Sequence, residues 1–119
     1  MTLDEIDRLC RNLPGCCVRY PFDSHSSLRA WCIGKKMFAW TDMGELPIVV
    51  QLKADPDLVP SLIDSYEAIQ PGYHMNKRHW VSVTASTCDA DMLTGLLEDA
   101  HMLVANALSR ADRIRLLGD

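Results

Sequence analysis

The fold class that the sequence predicts is α+β, a two-layer arrangement of an antiparallel sheet with helices packed on one face. Strand-like runs follow one another through short turns, which favours hairpins over the long crossovers of a parallel sheet. Helical patterns occur near both ends and once between the strands. The chain has 119 residues, 48% apolar and 24% charged, as expected for a single globular domain. We therefore expect one domain over residues 1–119.

The first part of the chain predicts a helix and then a strand. Residues 3–12 place apolar side chains at helical spacing, and Thr2 with Glu5 forms a capping-box pattern at the start. A Pro-Gly pair at 14–15 ends this helix. Residues 16–22 alternate loosely between apolar and polar side chains and predict a strand that leads into a polar turn.

The middle of the chain predicts a hairpin and a further strand. Residues 28–33 and 36–41 are two strand-like runs separated by Gly34-Lys35. A two-residue connection that starts with glycine is typical of a β-hairpin, because glycine adopts the positive φ that such turns need. Residues 46–52 have the highest β-branched content of any run and predict a strand.

A second helix is predicted from Asp55-Pro56 to about Ser65, with an acidic cap followed by proline in the first turn. Residues 66–78 carry no regular period and predict an irregular connection. Residues 80–84 predict the last strand.

The C-terminal part predicts one long helix over residues 90–110. Asp89 or Asp91 is the expected cap, and leucine, alanine and valine side chains form a wide apolar stripe that should pack on the sheet. The charged residues from 111 to 119 predict a fraying end.

Net charge, cysteine content and the distribution of apolar residues argue against several classes of protein. A net charge of −4 argues against a generally basic nucleic-acid binder, although a local basic patch remains compatible with it. The five cysteines are odd in number and lack a C-x-x-C spacing, which favours reduced thiols in a cytoplasmic protein. No run approaches the roughly 20 apolar residues of a membrane span, and no signal peptide is apparent, so we expect no membrane association.

Two short elements carry a family resemblance. They are residues 34–39 (GKKMFA) and residues 73–80 (YHMNKRHW), and they occur in order with Pro-Gly at 14–15, YPF at 20–22 and LKADP at 52–56. On these residues the chain resembles the YjbR/MmcQ-like family of small bacterial proteins. The resemblance implies a compact α+β fold that has been described as a double-wing DNA-binding arrangement. The chain departs from the family at Ala100-His101, where members often carry a Ser-Tyr pair.

Residues 71–80 form the strongest candidate for a recognition surface, because cations, histidines and aromatic rings follow one another there within ten residues. Lysines at the predicted hairpin tip and strand end could extend this surface with phosphate contacts, while the aromatic rings could stack on bases. We therefore predict a DNA-binding surface. Its candidate residues are Lys35, Lys36, Lys53, Tyr73, His74, Asn76, Lys77, Arg78, His79 and Trp80.

The same loop supports an alternative, in which Tyr66 and Lys53 help it to line a pocket for a small anionic metabolite, or in which it binds a protein partner. No nucleophile elbow, phosphate-binding glycine loop or cofactor motif is present, so neither catalysis nor a cofactor is predicted. His74 and His79 match no metal-ligand spacing, and the further ligands that a metal would need are scattered in sequence: Cys88, Glu45 and His25.

Overall fold

The computed structural model describes residues 1–20 and 27–118. The elements in chain order are α1 (Leu3–Arg11), β1 (Cys16–Arg19), β2 (Leu28–Ile33), β3 (Lys36–Asp42), β4 (Val49–Lys53), α2 (Val59–Ser65), β5 (Ile69–Pro71), β6 (Trp80–Thr84), α3 (Ala90–Ala107) and α4 (Arg110–Leu117). The predicted YPF element and His25 lie partly or wholly outside the described residues.

The strands form one six-stranded sheet in the order β1-β2-β3-β4-β6-β5, with every neighbouring pair antiparallel. The predicted hairpin is confirmed, and Gly34 adopts the positive φ of 61° that its turn requires. In the centre of the sheet Ala39 lies opposite Leu52, and Leu52 lies opposite Val81. The predicted α+β class is therefore confirmed.

One face of the sheet carries the core. Because side chains alternate along a strand, the row through Ala39, Leu52 and Val81 faces the helices, and all three are completely buried. Helix α3 packs across β2, β3 and β4, while α1 lies beside β1 and α3. Burial of each leucine-sized side chain contributes about 1.5–3 kcal/mol, so this face supplies most of the stability. On the opposite face, one aromatic and three polar side chains lie side by side in a row: Trp40, Gln51, Ser82 and Gln70.

Helix α1 begins as the sequence predicts and is tied to the sheet through Asp7. Thr2 and Glu5 make both hydrogen bonds of the capping box. The indole N–H of the buried Trp31 donates to Asp7 over 3.0 Å, and Arg11 donates to its other oxygen over 2.8 Å. Burial alone would raise the pKa of Asp7, but these donors and the nearby Arg29 outweigh it and hold the pKa below its ordinary value.

Two predicted boundaries are too early. The strand predicted from residue 46 begins at Val49. Pro47 has no N–H to donate to a neighbouring strand, and Leu46 is 86% exposed. The helix predicted from Asp55 begins at Val59. Asp55 instead closes a turn, in which its carboxylate accepts from the N–H of Asp57 and its carbonyl accepts from that of Leu58.

The connection predicted to be irregular contains a strand. Residues Ile69–Pro71 form β5, the edge strand that pairs with β6, and Ile69 is fully buried. Three residues that end in proline are too short to show a period of two, so the pattern gave no indication of this strand. Proline is acceptable here because β5 has a neighbour on one side only.

The C-terminal end also differs from the prediction of fraying. The long helix ends at Ala107, and Ser109 caps a separate helix, α4, by accepting from the N–H of Asp112. The last turn of α4 presents Leu116 and Leu117, which pack against the core. Its position is therefore fixed by packing, which the predominantly charged sequence around these two leucines does not reveal. Among the described residues, no helix is both long and apolar enough to cross a membrane.

Candidate functional site

Strand order brings the predicted cations to one end of the sheet. The β2–β3 turn holds Lys35 and Lys36, and the register of β3 with β4 places this turn at the end where β4 finishes with Lys53. Lys53 in turn pairs with the first residue of β6, directly after Lys77 and Arg78. We call these five residues the cationic end. Only β4 separates β3 from β6, so its lateral width is about 10 Å.

Four members of the cationic end are exposed and Lys53 is half-buried. Their charge is partly offset by nearby carboxylates. The pKa of Asp112 is lowered, first by its hydrogen bond to Arg115 and also by the charge of Lys36. Lys53 shares a groove between β4, α2 and α3 with Asp55 and Asp99. The local field is therefore positive but modest.

The turn that carries Lys77 and Arg78 is held by hydrogen bonds within the chain. The side-chain oxygen of Asn76 accepts from the N–H of Arg78 at 2.8 Å, and the N–H of His79 donates to the carbonyl of Asn76. The carbonyl of His79 accepts from Ala54 at the end of β4. Asn76 and half-buried His79 therefore shape the turn, and the oxygen of Asn76 is already engaged rather than open to a partner.

Trp80 is buried, whereas the predicted stacking on a base would require its ring to face water. It is only 7% exposed and lies beneath Gly72, where a Cβ would come within 2.9 Å of the Trp80 Cβ. The absence of a side chain on Gly72 lets the loop backbone rest directly on this tryptophan. Trp80 therefore supports the loop and is unavailable for stacking on a base.

Tyr73 and His74 turn away from the cationic end and lie over the open face of the sheet. The N–H of Tyr73 donates to the side-chain oxygen of Gln51 over 2.9 Å, and Tyr73 itself is 60% exposed. The Tyr73 and His74 rings are in contact, with centroids 3.9 Å apart. His74 has a φ of 58°, in the left-handed region that is uncommon for a residue with a side chain.

These two residues help to line a cleft on the open face, with a volume of about 480 Å³. The other walls come from β2, β3, β4, β6 and the turn after β3. The lining residues are Leu28, Trp40, Asp42, Glu45, Val49, Gln51, Tyr73, His74 and Ser82. Most of them are absent from the predicted site, because Trp40, Gln51 and Ser82 become one row only through strand register.

The floor of the cleft is a hydrogen-bonded row centred on Gln51. A backbone N–H can only donate, so the Gln51 atom that Tyr73 contacts must be the amide oxygen. The hydroxyl of Ser82 lies 2.8 Å from the same oxygen and 2.9 Å from the carbonyl of Pro71. Within the described residues the amide nitrogen of Gln51 has no hydrogen-bond partner, and the indole nitrogen of Trp40 is buried without an acceptor.

The cleft is acidic, and Tyr66 and Lys53, which the alternative combines with the loop, do not line it. Asp42 and Glu45 stand at one side, and neither lysine nor arginine is among the described residues that line it. Tyr66 lines a different groove with Cys88 and Asp89, and Lys53 lines the groove beside α2. The two residues are therefore not brought together with the loop.

The described residues hold no group of three or more histidine, cysteine or acidic side chains that could bind a metal ion. Burial, assisted by neighbouring thiols, raises the pKa of Cys16 and of Cys32 to about 11, which makes these two thiols poor nucleophiles. Burial also raises the pKa of Cys10 and of Cys88.

His101, which stands where the resemblance implies a tyrosine, has a structural role. It is 6% exposed, and its Nε2 lies 2.7 Å from the carbonyl oxygen of Pro14. A carbonyl only accepts, so Nε2 carries the proton. The ring also meets Phe38 edge-on, with centroids 5.4 Å apart. His101 therefore ties α3 to the turn before β1 and lies apart from both the cationic end and the cleft.

An antiparallel open sheet with helices on one face and a loop folded over the other defines a class of small α+β domain. A family model described as YjbR matches residues 11–103. The uncharacterized protein YbdF of Escherichia coli O157:H7 is 34% identical over 113 residues, or 92% of this chain and 88% of that protein. The chain belongs to the YjbR family.

Two solved structures share the fold. The crystal structure of Deinococcus radiodurans protein DR2400, with the family-model domain DUF419, matches with a TM-score of 0.88 and 34% identity, over 97% of this chain and 87% of that one. A crystal structure of a Pseudomonas syringae protein matches with a TM-score of 0.74 and 24% identity, over 87% of this chain and 99% of that one. The second likeness concerns the fold alone.

Proposed function

We propose that this protein is a non-catalytic DNA-binding module whose cationic end contacts the phosphate backbone. The observation that carries this proposal is the convergence of cations from three separate segments, the β2–β3 turn, the end of β4 and the turn before β6, at one end of the sheet. Exposed lysine and arginine side chains on such turns can reach the backbone of a duplex without entering a groove.

The arrangement supports weak binding with little sequence preference. Asn76 and Trp80, which could have read or stacked on bases, are engaged in holding the loop. The remaining contacts are to phosphates, and the net charge of −4 opposes the approach of DNA away from the cationic end. We expect affinity to fall steeply as salt is raised, as it does for contacts that release counterions.

Fluorescence anisotropy with a labelled duplex of about 20 base pairs tests this proposal, between about 50 and 200 mM salt. Arg78→Ala should weaken binding about three- to fivefold at the lower salt and reduce the salt slope by about 1, since one phosphate contact is lost. The matched control is Arg8→Ala, which removes an exposed arginine from α1 and should change neither quantity. Equal effects of the two variants, or the absence of salt-dependent binding, would contradict the proposal.

The alternative partners, a small anionic metabolite or a protein, would use the same exposed cations. A competition experiment distinguishes a small-anion partner from DNA. Inorganic pyrophosphate at about 1 mM should displace a labelled small anion from a single-anion site, but it should leave a duplex that makes several phosphate contacts largely bound. We also infer a cytoplasmic location, which the five free cysteines support because thiols stay reduced in that compartment.

A further inference from the structure

We propose that the cleft on the open face of the sheet is a binding site for a small planar organic cation that also carries a neutral hydrogen-bond acceptor. The cleft is separate from the cationic end, so this inference is independent of the proposed phosphate contacts. It rests on three properties of the lining: a buried amide with an unused donor, aromatic walls, and an excess of negative charge.

The buried amide indicates a built site. Gln51 is only 3% exposed in the middle of a strand, where the neighbouring core residues are apolar. Its oxygen is satisfied by Tyr73, which fixes the orientation of the amide group. The nitrogen, which has no partner among the described residues, lies at the floor of the cleft. The Gln51 nitrogen is not fully enclosed, so water can reach it through the cleft, and an acceptor on a bound molecule would take the place of that water.

The indole nitrogen of Trp40 strengthens this argument. It is a second buried donor with no acceptor within residues 1–20 and 27–118, and it belongs to the side chain next to Gln51 in the same row. Two adjacent unused donors favour a ligand with a carbonyl, hydroxyl or ring-nitrogen acceptor over a purely hydrocarbon one.

The walls and size fit a flat molecule. Trp40 and Tyr73 present aromatic rings, and Leu28 and Val49 add apolar surface. The volume of about 480 Å³ lies in the range of small-molecule sites. Aromatic faces attract cations through their quadrupole as well as stacking on flat rings.

The charge of the lining selects against anions. Asp42 and Glu45 contribute two carboxylates, and neither lysine nor arginine is among the described residues of the lining. One oxygen of Asp42 is occupied by the hydroxyl of Ser27 and the N–H of Gly44, which holds this carboxylate in place. Its other oxygen and Glu45 remain to pair with an ammonium or amidinium group.

Three probes with the same ring and different charge test the proposal: the 4-hydroxy derivatives of benzamidine, benzamide and benzoate, in which the hydroxyl supplies the neutral acceptor. They are named below by their parent compounds. NMR titration should show saturable shifts of the Trp40 indole N–H and the Tyr73 amide with benzamidine, at a dissociation constant of about 1–5 mM for so small a probe. Trp40→Phe identifies the indole signal. Benzamide should bind more weakly, and benzoate at least about tenfold more weakly than benzamidine. Benzoate binding as tightly as benzamidine, or no saturable shift with any probe, would overturn the proposal.

A pair of matched variants locates the site. Glu45→Gln should weaken benzamidine about five- to tenfold, since a charge-assisted contact becomes a neutral one. Glu98→Gln makes the same chemical change at an exposed position on α3, outside the cleft, and should change the affinity by less than about twofold. Equal effects would place the probe elsewhere. Arg78→Ala should leave benzamidine binding unchanged, so failure of the DNA proposal would not affect this one.

Discussion

The cationic end and the cleft lie on one sheet but are built in opposite ways. At the cationic end, side chains project from turns and strand ends, and four of the five are exposed. In the cleft, the central polar groups come from strand interiors and are fixed by hydrogen bonds, as Gln51 is by Tyr73 and Ser82. The exposed cations of the cationic end suit salt-sensitive contacts that require no fixed geometry. The fixed polar groups of the cleft suit a single molecule of defined shape.

The strongest test of this contrast replaces Gln51 by leucine. Gln51→Leu leaves the N–H of Tyr73 without its acceptor, whereas Ser82 can still donate to the carbonyl of Pro71, and the free energy of unfolding should fall by about 2 kcal/mol. Gln70→Leu is the matched control, because Gln70 belongs to the same row but is exposed, and its change should stay within about 0.5–1 kcal/mol. Urea denaturation measures both. Similar losses for the two variants would show that the amide does not hold the loop.

A second test asks whether the loop needs its close approach to Trp80. Gly72→Ala places a methyl group 2.9 Å from the Trp80 Cβ and 3.0 Å from its carbonyl oxygen, so backbone must shift at a cost of about 1–2 kcal/mol. Gly95→Ala is the control on α3, where nothing lies within 4 Å, and it should stabilise the protein by about 0.5–1 kcal/mol. Thermal denaturation should therefore give shifts of opposite sign. A neutral Gly72→Ala would mean that the loop is not seated on Trp80.

The smallest expected effect concerns Lys77, the residue that links the two regions. Its Nζ donates to the carbonyl of Gly72 over 2.8 Å, so Lys77→Ala should cost about 0.5–1 kcal/mol and shift the amide signals of Tyr73 and His74. Lys35→Ala removes a cation from the hairpin tip, and it should leave those signals unchanged and stability within about 0.5 kcal/mol. Identical spectra for the two variants would show that the cationic end and the cleft are independent.

Much of the fold is encoded locally and was predictable. The spans of β2 and β6 agree with the predicted residues, since β2 ends at the Gly34-Lys35 turn and β6 is rich in β-branched and aromatic side chains. The edge strand β5 and helix α4 were not predictable. Strand β5 is only three residues long and is defined by its pairing with β6, while α4 is held by the turns at Gly15 and Gly34, which are distant in sequence.

The candidate site likewise has one part that local sequence predicts and one part that it does not. The cationic turn at Lys77 and Arg78 was visible because its residues are adjacent in sequence. The cleft was not visible, because Trp40, Gln51 and Ser82 belong to three strands. A tryptophan alone is typical of core packing, and a glutamine or serine alone is typical of a solvent-facing position. Only the register of β3, β4 and β6 shows that they form one surface, and register follows from the whole sheet.

The packing of α4 against the turns at Gly15 and Gly34 limits how far this protein can be shortened at its C-terminal end. A Cβ at Gly34 would lie 2.9 Å from Leu116, and one at Gly15 would lie 2.7 Å from Leu117, so the two leucines rest on positions that have no side chain. The family match ends at residue 103, before this helix begins. A fragment trimmed to the matched span would lose α4 and uncover the hairpin turn beside Lys35 and Lys36.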